Sequence, residues 1–197
     1  MKDGNYYTSL VRNANTKHRD ILKYATETGE VTDTLVHGEK LLLADEKTPI
    51  SMRSYEFNKD ETKILIATEV TPIYRRSSKA IYYVYDLHTG KLQRLVNGGK
   101  QSYATFSPDG KKVAFVRGNN IYIKDLESDG LVAVTTDGKK NEIINGFADW
   151  VYEEELSLSR VFFWSPDGKM MAFLKFDEKE VPMYNLQKWT GLYPEDY

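Results

Sequence analysis

The chain has 197 residues, 41% of them hydrophobic and 28% charged, with a formal net charge of −2. That balance fits one globular domain or part of a larger protein, and it excludes disordered, collagen-like and basic nucleic-acid-attracting classes. The absence of cysteine removes disulfide scaffolds and thiolate metal sites, and no apolar run approaches the roughly 20 residues that span a bilayer.

Aromatics make up 13% of the residues, with 14 tyrosines, which favours β structure, where rings pack on pleated faces. The N-terminal stretch Met1 to Tyr7 has no apolar h-region, so no secretory signal is expected within it. From there the chain reads as short strands parted by polar turns: Asn5 to Val11, Asp20 to Tyr24, a turn at Thr28-Gly29, then Val31 to Val36. A second segment runs Ser54 to Phe57, Lys63 to Thr68, Ala80 to Asp86, a turn at Thr89-Gly90, then Lys91 to Val96. A third has Tyr103 to Phe106, Lys112 to Val116, Asn120 to Asp125 and Leu131 to Thr135, and a fourth restarts at Val161 to Trp164 and Lys169 to Leu174.

These segments repeat. Phe106-Ser107-Pro108-Asp109-Gly110 recurs 58 positions later as Trp164-Ser165-Pro166-Asp167-Gly168, and Phe57-Asn58-Lys59-Asp60-Glu61 fills the same slot 49 positions earlier. Proline presets φ at the second turn position and glycine accepts positive φ at the last. A strand ending in "Tyr-x-x-Asp" follows in the second and third segments, at Tyr83 to Asp86 and Tyr122 to Asp125. Four strands per unit at a period of roughly 40 to 60 residues is the pattern of propeller blades, with an ordinary sandwich as the alternative. The expected fold is all-β: a partial β-propeller of about three to four four-stranded antiparallel blades spanning residues 1–197. Closed propellers use about four to eight blades, so the chain is expected to be a fragment or to close against a partner copy.

The blade pattern does not predict the insertion from Asn145 to Ser159. Asp149-Trp150-Val151-Tyr152-Glu153-Glu154-Glu155 sets three carboxylates in a row, which repel by about 1 kcal/mol or more per pair outside bulk water. Asp149 is a candidate N-cap, and Val151, Tyr152 and Leu156 share a face at helical spacing. Trp150, Tyr152 and Leu156 are expected to anchor this short helix against a core, so that some of Glu153, Glu154 and Glu155 face open space as a receptor for a cation.

That motif, with Trp164 to Gly168, Phe176-Asp177-Glu178-Lys179-Glu180-Val181-Pro182, Asn119 to Ile123 and Tyr82 to Leu87, resembles the N-terminal β-propeller of the dipeptidyl peptidase IV family. These are prolyl oligopeptidase-type serine peptidases. The resemblance implies an eight-bladed propeller capping an α/β-hydrolase domain, of which this chain is a fragment without the C-terminal catalytic domain. It implies that Glu154 and Glu155 bind the free α-amino group of a peptide and that Arg75 binds a substrate carbonyl. Arg76, Glu153 and Tyr152 are the neighbouring candidates. An α-ammonium offers three donors, and two carboxylates supply acceptors enough to orient it.

No Gly-x-Ser-x-Gly elbow occurs in the chain, so the parent protein is expected to be the enzyme and this chain alone inactive. His18, His37 and His88 lie in or beside predicted turns, too scattered for a metal site, and no cofactor is expected. The resemblance implies release of N-terminal Xaa-Pro dipeptides, with tripeptide release or a non-catalytic peptide-binding scaffold as alternatives. Implied partners are a peptide with a free N-terminus, the hydrolase domain of the same protein and a second copy in a homodimer, with no nucleic acid and no membrane span. Implied localisation is periplasmic or otherwise exported, in a bacterium.

Overall fold

The computed structural model describes residues 1–44 and 46–196, whose regular secondary structure is almost entirely β. The strands β1 (Tyr6–Arg12), β2 (Arg19–Ala25) and β3 (Val31–Val36) form an antiparallel meander in chain order. Next, β4 (Ser54–Phe57), β5 (Lys63–Pro72), β6 (Ser78–Asp86) and β7 (Leu92–Arg94) form a four-stranded one. The same order returns in β8 (Ser102–Phe106), β9 (Lys112–Arg117), β10 (Asn120–Asp125) and β11 (Leu131–Ala133). The fourth unit contains β12 (Ile143–Asn145), the helix α1 (Trp150–Leu156), β13 (Phe162–Trp164), β14 (Met171–Phe173) and β15 (Lys175–Asp177). Here β12 pairs with β15 and β13 with β14, and a separate hairpin of β16 (Gln187–Trp189) and β17 (Pro194–Asp196) follows. The architecture is a partial β-propeller. Two complete four-stranded blades stand between a three-stranded first unit and a fourth that α1 divides.

The repeated turns are built alike because their residues bond alike. The Ser107 hydroxyl donates to Asp109 at 2.6 Å and accepts from Lys112 N at 2.9 Å, and Ser165 does the same with Asp167 and Met170 N at 2.6 and 2.9 Å. Gly110 and Gly168 hold φ of 67° and 69°, and in the second unit Glu61 occupies that left-handed slot at 54°. The turns also stack in chain order, Gly110 against Asn58 and Gly168 against Pro108. The aspartates that end β6 and β10 cap the next turns: Asp86 accepts from His88 N and Thr89 N, and Asp125 from Glu127 N and Ser128 N.

Strand alternation distributes the core between blades. On β5, Ile64 and Ile66 pack toward the first sheet with Ile21, Val36 and Leu41, while Leu65 packs toward the third with Phe106, Val113 and Phe115. On β9, Val113 and Phe115 face the second sheet while Ala114 and Val116 meet Phe162 of the fourth unit. Each middle blade is therefore apolar on both faces, as stacked blades require.

Candidate functional site

The insertion folds into α1 because Asp149 caps it, its carboxylate accepting from Tyr152 N at 2.8 Å. Ser157, left-handed at φ 57°, ends it. The helix is mounted the opposite way from the sequence expectation. Trp150, Val151, Tyr152 and Leu156 are all at least 40% exposed, whereas Glu153 is completely buried. Helical spacing puts apolar side chains on one face but does not say what that face meets. Here the surface opposite α1 offers backbone N–H donors, and the carboxylate takes the inner position.

Those donors belong to the turn between β5 and β6. The turn closes on Ser77, whose carbonyl accepts from Ile73 N at 2.9 Å and whose hydroxyl accepts from Tyr74 N at 3.1 Å. Glu153 Oε1 accepts from Arg76 N at 2.6 Å and from Ser77 N at 3.0 Å. One position along the helix, Glu154 accepts from Arg75 Nε, at 2.8 Å to Oε2 and 3.2 Å to Oε1. Arg75 is 73% exposed and Glu154 only 18%, so the guanidinium lies over the carboxylate on the solvent side. Of the two adjacent arginines, Arg75 brings its side chain to the helix and Arg76 brings its backbone. Glu155 points into solvent, and the Tyr152 ring meets Phe176 edge-on at 5.0 Å.

Sequence reasoning missed two tyrosines beside this cluster. Burial, and then the charges of Glu178, Glu153 and Asp149, push the Tyr74 phenol up. Burial and the Glu153 charge push Tyr103 up to about 12, with the Ser77 and Ser159 hydroxyls opposing weakly. The Tyr103 hydroxyl is enclosed without a partner in bonding geometry, as is Glu153 Oε2. Tyr103 also holds φ at 58°, at the register shift between β8 and β9, a strained conformation for a bulky residue. Its place in a strand gave no signal, since the contacts bridge residues far apart in sequence.

Two cavities flank the cluster without including the glutamate triplet. One, of about 460 Å³, lies behind Tyr74, with Lys79, Lys100, Arg117 and Lys140 among its lining. The other, of about 420 Å³, lies between β4 and β8 and includes Glu56, Tyr103 and Arg160. Burial pushes the Glu56 carboxyl up there, with the Arg160 charge opposing. Among the histidines, His37 and His88 are exposed and His18 is half-buried.

The family model described as the dipeptidyl peptidase IV (DPP IV) N-terminal region matches residues 58–197. The chain belongs to that family. Over 166 residues it is 39% identical to dipeptidyl peptidase 4 of Trichophyton equinum, covering 80% of this chain and 21% of that protein. It is 34% identical over 148 residues to prolyl endopeptidase FAP of Mus musculus, covering 74% of this chain and 19% of that protein. The crystal structure of Porphyromonas gingivalis dipeptidyl peptidase 4 superposes on the whole chain with a TM-score of 0.87 at 39% identity, using 27% of that chain. This DPP IV-type chain thus spans about a fifth of the length of the curated relatives it matches. None of its described helices is long and apolar enough to cross a membrane.

Proposed function

We propose that this chain is the part of a DPP IV-like serine exopeptidase that anchors the free N-terminus of a peptide. The observation that carries this is the placement of Glu154, held by Arg75 Nε at 2.8 Å, next to the unpaired and exposed Glu155. Glu154 and Glu155 accept the three N–H donors of the α-ammonium. Arg75 orients Glu154 and spends only its Nε on it, so its terminal amino groups remain to donate to the first peptide carbonyl. Fixing the N-terminus fixes how many residues reach a nucleophile, which makes such a site a ruler for dipeptide release. The nucleophile and the pocket that selects proline at the second residue belong to an α/β-hydrolase domain outside this chain. Export from a bacterial cell and homodimerisation complete the proposal by likeness to the family.

The test uses the full-length protein and an Ala-Pro chromogenic substrate beside its N-acetylated twin. Hydrolysis of the free-amine substrate alone, lost in both Glu154→Gln and Glu155→Gln, is the expected result. Equal hydrolysis of the two substrates overturns the assignment.

A further inference from the structure

We propose that Glu153 is a positioning residue. Its buried carboxylate ties the Arg75 turn to α1 and so sets Arg75 against Glu154, while Glu153 itself never touches the ligand. This rests on the assignment of Glu154 and Glu155 as the ammonium anchor.

Three observations lead there. First, Glu153 is 0% exposed, so an ammonium arriving from solvent meets Glu154 and Glu155 and has no path to it. A carboxylate is kept in such a place only if hydrogen bonds replace its hydration, and Oε1 receives two, from Arg76 N and Ser77 N. Second, beyond the Arg75–Glu154 pair and the Tyr152–Phe176 ring contact, α1 has little to hold it. It has seven residues, too few to be stable alone, and its large apolar side chains face outward. Third, the arginine turn converges on the same point. Ser77 receives Ile73 N and Tyr74 N on its carbonyl and hydroxyl oxygens and gives its own N–H to Glu153. Fastening Ser77 therefore fastens the whole turn, with Arg75 two positions away on one side of the tether and Glu154 one position away on the other.

The tether needs the accepting oxygen and not the negative charge, which separates it from a ligand contact. Gln keeps the acceptor for both N–H groups and adds an amide where Oε2 now has no partner. Ala removes the acceptor and leaves the buried Ser77 N–H and the part-buried Arg76 N–H unmet.

The experiment measures full-length wild type, Glu153→Gln, Glu153→Ala and Glu154→Gln on the free-amine and acetylated Ala-Pro substrates. Hydrogen exchange of the segment 73–77 is followed in each. Expected are a KM within about threefold of wild type for Glu153→Gln and one raised about ten- to a hundredfold for Glu153→Ala. In the Ala variant kcat stays nearly unchanged and segment 73–77 exchanges faster. Should Glu153→Ala fail to fold, Glu153→Asp replaces it, because the shorter side chain draws the acceptor away while keeping the charge. It is expected to raise KM and exchange in the same direction. Glu153→Gln as damaging as Glu154→Gln, with exchange unchanged, overturns the proposal in favour of direct ligand contact. Unchanged KM in both Glu153→Ala and Glu153→Asp also overturns it and leaves the anchor standing. Wild type treating both substrates alike removes the anchor itself, and the positioning role falls with it.

Discussion

Arg75 Nε lies 2.8 Å from Glu154 Oε2 across 79 positions of sequence, joining the turn of one blade to the insertion of a unit two blades on. The pair is lopsided, one partner being open to water and the other mostly covered. An ion pair with so exposed a cation adds about 0–1 kcal/mol to folding, because water screens it and the long side chain must be ordered. Its consequence is orientation of the carboxylate.

Arg75→Ala is therefore expected to leave the thermal midpoint nearly unchanged while raising KM for free-amine peptides about tenfold or more. Arg75→Lys should recover little, since a single ammonium cannot hold Glu154 through Nε and donate forward through a planar fork. Melting curves and steady-state kinetics check the two halves separately. A large fall in midpoint with unchanged KM shows a structural pair instead.

Gly110 tests the stacking of blade turns. It holds φ at 67°, and a Cβ there meets Asn58 Nδ2 at 2.6 Å. Asn58 cannot swing clear, because it is buried and its Oδ1 accepts from Thr62 N and Lys63 N, both at 2.9 Å. Gly29 has a similar φ of 70° with nothing within 4 Å. Gly29→Ala should cost about 1 kcal/mol in denaturant unfolding, the left-handed strain alone, and Gly110→Ala about 1–2 kcal/mol more. Equal costs mean that the turns of adjacent blades are not in contact.

The blades were legible because their signals are local. A short apolar, β-branched run between polar turns marked Ile64, Leu65 and Ile66, and Ser107-Pro108-Asp109-Gly110 names its own turn through bonds within five residues. The degenerate turn at Asn58 was recognisable even though Glu61 replaces the glycine, since an Asn side chain fills the bonding role of Ser107. The site was legible only in part. Helical spacing grouped Val151, Tyr152 and Leu156, yet nothing local says that N–H donors at Arg76 and Ser77 await a carboxylate 77 and 76 positions later. Apolar pattern alone therefore put Trp150, Tyr152 and Leu156 inside, where the structure leaves them exposed, and gave no sign of which glutamate would be buried. The same distance hid Tyr103.

Tyr103 gives an alkaline signature for the buried cluster. An exposed tyrosine ionises near 10, whereas burial and the Glu153 charge push Tyr103 up to about 12 in the fold. Below about pH 10 the phenol is neutral in both states and has no effect on the pH dependence. Between about 10 and 12 the unfolded chain sheds a proton that the folded chain keeps, so stability falls as pH rises. Solvent screening of a partly exposed ring reduces this to about 1–2 kcal/mol. Tyr74, Tyr82 and Tyr83 are raised as well, chiefly by burial, and act in the same direction. Tyr103→Phe should thus flatten the alkaline limb of stability without abolishing it, and should remove the last-titrating step from an absorbance titration at the phenolate band. At neutral pH the same change should be neutral or slightly stabilising, because the enclosed hydroxyl has no partner in bonding geometry. A neutral-pH loss of more than about 1 kcal/mol would instead show that Ser77 or Ser159 bonds it, making the phenol part of the network that holds the arginine turn.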